Sequence, residues 1–126
     1  MRTVDIGRLG EKAAAKFLKK SKYRILSQNA HFSHNEIDII AKNKEYIVFV
    51  EVKTRSTDES FSMGFGSPAS AVTKSKQQRT IEAARAYLRT IKHKELQPRF
   101  DVIEVFLSKD TKSILKINHI TNAFGM

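Results

Sequence analysis

At 126 residues the chain can bury one core but is too short to divide into two, so one domain over residues 1–126 with one active surface is expected. Its 23 Lys and Arg against 13 Asp and Glu leave a formal charge of +10, which favours a polyanionic partner. Nucleic acid ranks before an acidic membrane surface, because no long amphipathic segment gathers the basic residues opposite a bulky apolar face. The absence of cysteine excludes disulfides and thiolate metal sites.

The start, MRTVDIGRLGEKAAAKF, holds no signal-peptide core, and the longest apolar run, residues 46–50, is too short to cross a bilayer. A cytoplasmic protein is therefore expected. Basic composition also suits a ribosomal or chromatin-like protein, so charge by itself does not imply an enzyme.

In residues 7–20 Gly10, Ala14, Phe17 and Leu18 recur at helical spacing, with Lys12, Lys16, Lys19 and Lys20 mostly around the other side. This predicts a first helix with Asp5 as its cap. The runs YRILS (23–27), EIDIIA (36–41) and EYIVFVEVKT (45–54) are rich in β-branched and aromatic residues and predict three strands. The short link KNKE makes the last two an antiparallel hairpin. Residues 55–68, polar and containing Gly64, Gly66 and Pro68, predict an irregular, mobile loop long enough to suggest a task. A second helix is expected over 73–92 from the stripe Ile81, Ala84, Leu88 and Ile91. FDVIEVFL (100–107) and SILKINHI (113–120) then predict two strands joined around Asp110. The order helix, three strands, helix, two strands indicates an α/β fold with a mixed central sheet flanked by helices.

Two groups of ionisable side chains interrupt the most apolar runs. In the strand at 45–54, Ile47, Phe49, Glu51 and Lys53 share one face and Val48, Val50 and Val52 the other. A strand apolar on both sides is covered twice, which places Glu51 and Lys53 at the end of a buried element. Unpaired burial of an ion costs several kcal/mol, so partners are required. Asp38 is the first candidate. A hairpin closing around Asn43 and Lys44 sets Asp38 opposite Phe49, and one closing around Lys44 and Glu45 sets it opposite Glu51. Both registers put Asp38 on the face of Glu51 and Lys53.

Two carboxylates on neighbouring strands repel each other, and a hard cation relieves this by taking oxygen from both. Mg²⁺ or Mn²⁺ fits, with the Val52 carbonyl as a further ligand, and such an ion has the properties needed to cut a phosphodiester. Lys53 is placed to hold the attacking water or to offset charge on the phosphate. Glu11, at the margin of the first helix's apolar face, is a candidate for the same ion, against the plain reading of an exposed first-turn acid that favours the helix dipole.

Glu11, then EID (36–38), then EVK (51–53) resembles the PD-(D/E)XK nuclease signature of restriction-endonuclease-like folds, with Ile37 where the motif's name has proline. The segments GRLGEKAAAKFL, NEIDIIAKNKEYIVFVEVKTR, FGSPASAVTKSKQQR, RFDVIEV and HITNAF together resemble the YraN family, which is related to archaeal-type Holliday-junction resolvases. The resemblance implies a restriction-endonuclease-like αβββαβ core, Asp38 and Glu51 as metal ligands, Lys53 as catalytic lysine and Glu11 as accessory acid. It implies a metal-dependent DNA endonuclease selective for branched or distorted DNA, and by analogy with two-fold substrates a homodimer. The alternative is a non-catalytic basic nucleic-acid-binding module on the same fold.

Around this core, Glu36 shares the face of Asp38, and Gln77 lies on the stripe of the second helix near its start; each is weighed between a supporting role and ordinary packing or solvation. Arg55, Lys74, Lys76 and Arg79 are candidate phosphate contacts against a default of solvated charge. Phe61 and Phe65 are read first as loop anchors and second as base-stacking groups. His31 and His34, in what reads as a loop, lack the second pair that a zinc site needs. His93 and His119 have no evident partners.

Overall fold

The computed structural model describes residues 3–32, 34–57, 72–92 and 95–126. In chain order it contains α1 (Thr3–Lys20), β1 (Arg24–Phe32), β2 (Asn35–Lys42), β3 (Tyr46–Thr57), α2 (Lys74–Leu88), β4 (Gln97–Ser108) and β5 (Ile114–Phe124). The strands lie in sequence order in one sheet, with β3 and β4 parallel and the other neighbours antiparallel. A parallel pair needs a long crossover, and the segment containing α2 makes it. The architecture is the expected mixed α/β fold, an αβββαβ-type core extended by β5.

Alternation along β3 builds the core on both faces. Val48, Val50 and Val52 join Ile39, Ala41, Ile103, Val105 and Leu107 beneath Ala13, Ala14 and Leu18 of α1. Ile47 and Phe49 join Ile40, Phe100 and Ile81, Ala83 and Ala84 of α2. Phe49 stacks on Phe100 and meets Tyr87 edge-on. Each fully buried aliphatic or aromatic side chain contributes roughly 1.5–3 kcal/mol, so this strand carries a large share of the stability. The α1 face also demands small residues: a Cβ at Gly10 would fall 1.8 Å from Thr54 Oγ1 and 2.7 Å from Thr54 Cβ. Gly10 lets α1 approach β3 closely.

The β2–β3 turn settles the register. Asn43 Oδ1 accepts the N–H groups of Glu45 and Tyr46 at 2.9 and 2.8 Å, a local turn that closes the loop around Lys44 and Glu45. Ile39 then pairs with Val50 and Lys42 with Ile47, and the same register carries Asp38 to the level of Glu51.

Several boundaries differ from expectation. α1 starts at Thr3, so Asp5 is inside the helix rather than its cap. β1 reaches Phe32 instead of ending at Ser27, because a register shift between Ile25 and Ser27 and a positive φ of 52° at Asn29 let an irregular strand continue pairing. His31 is consequently a strand residue opposite Glu36. β3 extends to Thr57, into the segment expected to be loop; residues 58–71, with Phe61, Gly64, Phe65, Gly66 and Pro68, lie outside the described residues. α2 stops at Leu88 with Arg89 as its C-cap, and Thr73 is its N-cap, its hydroxyl accepting the Lys76 N–H at 3.1 Å.

Candidate active site

The site forms where β2 and β3 part. Pairing ends at Ile39 and Val50, and beyond it the Val52 N–H donates to Asp38 Oδ2 at 2.8 Å. A strand residue directs its N–H and C=O to the same side, so the Val52 carbonyl opens into the same gap. Glu51, 7% exposed, continues the row of Ile47 and Phe49 on the α2 face. Lys53 Nζ stands 3.7 Å from Glu51 Oε1, and Lys76 Nζ, from the first turns of α2, stands 3.9 Å from Glu51 Oε2. Both separations exceed a good hydrogen bond, so the ammonium groups offset the charge without saturating the carboxylate.

Electrostatics bind these groups into one unit. Burial, then the neighbouring Asp38, push the Glu51 carboxyl from 4.5 up to about 7, against the pull of Lys76 and Lys53. Burial likewise raises Asp38, although the Val52 N–H and Lys76 oppose it. Glu11, on the rim of α1, is raised by burial and by Asp38. Carboxylates that resist ionising because burial strips their water, with a second acid nearby adding to it, are the arrangement that a divalent cation relieves.

Asp38, Glu51 and the Val52 carbonyl are hard oxygen donors on one gap, and a set of one or two carboxylates completed by waters and phosphate suits Mg²⁺ or Mn²⁺. Among the described residues no three acidic or imidazole side chains converge tightly enough to hold a metal by themselves. Glu11 is held to one side by Asn29. With its amide nitrogen turned toward the acids, Asn29 donates to Glu11 Oε1 at 2.9 Å and Glu36 Oε1 at 3.1 Å. Glu36 also lies 3.9 Å from His31 Nε2. The structure thus brings Asp38, Glu51 and Lys53 together, with Glu11 and Glu36, linked by Asn29, close enough to act electrostatically on Asp38.

The remaining candidates divide. Arg55 Nε donates to Glu104 Oε2, so this guanidinium braces the sheet beside the site. Lys76 is turned toward Glu51, while Lys74 and Arg79 are exposed. Gln77 Nε2 donates to the Val72 carbonyl at 2.9 Å and so secures the chain entering α2 rather than the acids. His119 has partners after all: its Nε2 lies 2.7 Å from Asp101 Oδ2, and its ring meets Phe17 and Tyr23 edge-on. His93 lies outside the described residues.

Sequence reasoning missed Asn29, Glu104 and Asp101. The latter two are buried acids in the apolar run FDVIEVFL, at 2% and 0% exposure, the same signal that singled out Glu51. Nothing in the sequence marks Asn29, whose role depends on a strand longer than its β-rich segment.

Fold and site together define a small mixed α/β domain with paired acids and a lysine at the end of its central buried strand. Residues 10–105 match the family described as "Uncharacterised protein family UPF0102", and the chain belongs to that family. It is similar to a UPF0102 protein of Caldanaerobacter subterraneus, with 46% identity over 94% of this chain and 93% of the relative. Similar proteins occur in Clostridium perfringens, at 48% over 95% and 93%, and in Chlorobaculum tepidum, at 47% over 94% and 91%. No helix among the described residues is long and apolar enough to cross a membrane.

Proposed function

We propose that the chain is a metal-dependent endonuclease that hydrolyses phosphodiester bonds in DNA, with branched or otherwise distorted DNA as its substrate class. The observation that carries this reading is the convergence of Asp38 and Glu51 from two strands on one gap beside Lys53, with the Glu51 carboxyl held at about 7. The likeness of EID and EVK to the PD-(D/E)XK signature supports it, as does the charge of +10.

In this reading Asp38, Glu51 and the Val52 carbonyl hold Mg²⁺ or Mn²⁺. When bound, the ion polarises a phosphate oxygen and lowers the pKa of a water. Lys53, partly exposed at the mouth of the gap, orients the attacking water and offsets charge gathering on the phosphate. Lys76 steadies Glu51, and Glu11 is an accessory acid kept in place by Asn29. Lys74 and Arg79 meet phosphates beside α2. A substrate with two equivalent strands would be served by a two-fold homodimer.

The test is cleavage of labelled four-way junction, flap, single-stranded and duplex DNA with Mg²⁺, Mn²⁺ or EDTA, using wild type, Asp38→Asn and Lys53→Ala. Metal-dependent products lost in both variants support the nuclease. Absence of cleavage with salt-sensitive binding that both variants retain would replace it with the non-catalytic binding module.

A further inference from the structure

One side of α1 packs on the sheet, and the other carries Arg8, Lys12, Lys16 and Lys19. At about 100° of rotation per residue these four fall within an arc of about 80°. They line a cleft of about 490 Å³ between α1 and β1, which also includes Asn29 and Glu11. Lys12, Lys16 and Lys19 are exposed, and none of the ion pairs among the described residues involves them. By contrast Arg55 and Lys76 are already engaged by Glu104 and Glu51. Exposed cations also stand elsewhere, Lys74 and Arg79 among them, but those of α1 share one face and one cleft.

We propose that this cleft is a track for the nucleic-acid backbone, with phosphates seated on Arg8, Lys12, Lys16 and Lys19 and the strand led past Asn29 and Glu11 toward the Asp38–Glu51 gap. Its destination rests on the proposed nuclease reading; the binding does not. From Arg8 to Lys19 the helix rises about 16 Å, the axial length of four or five phosphates on one strand at about 3.4 Å each. Among the described residues no aromatic side chain lines the cleft, which offers charge rather than a stacking surface. Contacts of this kind position a strand without reading its sequence. Glu11, between Arg8 and Lys12 in sequence and about 60° off their row, changes the sign along one edge of the track, on the side of Asp38.

The experiment measures binding of a short fluorescent duplex in EDTA across a NaCl series. Wild type is compared with the triple variant Lys12→Ala, Lys16→Ala, Lys19→Ala, and with an equal-charge control, Lys44→Ala, Arg85→Ala, Lys92→Ala, taken from the β2–β3 turn and the α2 side. The exposed track positions accept alanine readily in a helix, and thermal melting verifies that each variant folds. The track variant should lose about 2.7 from the slope of log K against log salt, at about 0.9 per lost phosphate contact, while the control keeps the wild-type slope.

An unchanged slope in the track variant overturns the proposal, as does an equal loss in the control, which would show only bulk charge. Wild type that binds polyglutamate but no DNA overturns it in favour of an acidic protein partner. A slope lost in the track variant while wild type shows no cleavage keeps the track and removes the nuclease. Metal-dependent cleavage with an unchanged track-variant slope does the reverse.

Discussion

Asp38 accepts the main-chain N–H of Val52 at 2.8 Å, and in doing so replaces the ladder contact that β2 and β3 give up just beyond Val50. The carboxylate is thus both a brace for the strand end and a wall of the gap. Asp38→Asn retains an acceptor for that N–H while removing a buried charge that opposes ionisation of Glu51, so the fold should persist with a melting temperature at neutral pH no lower than that of wild type. Under the nuclease reading, cleavage should fall roughly 100-fold or more, with DNA affinity in EDTA close to wild type. Gel-based cleavage and melting curves on one preparation check both halves.

Glu51 makes stability depend on pH in an unusual direction. Its carboxyl is raised from 4.5 to about 7 by burial and by Asp38, so the folded state binds a proton more tightly than the unfolded one. The contribution is fully present below about 4.5 and is lost as pH rises through about 7. At about 1.4 kcal/mol per pH unit the full effect is on the order of 3 kcal/mol. Urea unfolding should show stability declining from pH 4.5 to 7.5 in wild type and a flatter profile in Glu51→Gln. Under the metal-dependent reading, Mg²⁺ should restore stability at pH 7.5 and have little effect at pH 5, where protonated carboxyls are poor ligands.

How much of this was legible beforehand follows from the range over which each signal acts. The two apolar faces of β3 and the charges at its end were readable because alternation is local. The register depends on one further local fact, the Asn43 side chain closing the turn, without which two registers fit the sequence equally. Asp101 and Glu104 were equally visible as acids in an apolar strand, yet their partners were not. Arg99 reaches Tyr23, 76 positions away in sequence, and Arg55 reaches Glu104 only because β3 and β4 align in parallel. Asn29 escaped notice for a similar reason, since its left-handed backbone disguises the continuation of β1.

The contrast between Gly7 and Gly10 gives a prediction with opposite signs on one helix. A Cβ at Gly7 meets nothing within 4 Å, so Gly7→Ala should stabilise by up to about 1 kcal/mol through helix propensity. The same change at Gly10 drives a methyl into Thr54, and overpacking should cost about 1–3 kcal/mol despite the gain in propensity. Because Glu11 follows Gly10, under the nuclease reading the displaced helix should also weaken cleavage. Denaturant titration of the two variants separates the effects.

On the α1 face, Asp101 is completely buried and accepts from Arg99 Nε at 2.9 Å, from the second guanidinium nitrogen at 2.8 Å and from the Asn122 N–H at 2.9 Å, with His119 at 2.7 Å. Arg99 itself lies over the Tyr46 ring and donates to the Tyr23 hydroxyl. This cluster ties β4 to β5 and to the chain leaving α1. Burial pushes the Asp101 carboxyl up, but the hydrogen bonds from His119, Arg99 and Asn122 outweigh it and hold it below the usual 3.8. Its contribution is therefore present above about pH 4 and is lost as pH falls through the lowered value. Asp101→Asn leaves the Arg99 charge without its buried partner and should cost about 3–5 kcal/mol at pH 7. The deficit relative to wild type should shrink at pH 3. Asp101 and Glu51 lie on opposite faces of the sheet, so the loss should appear in urea unfolding of Asp101→Asn while the Glu51-dependent decline of stability between pH 4.5 and 7.5 persists, which separates this structural clamp from the acids of the gap.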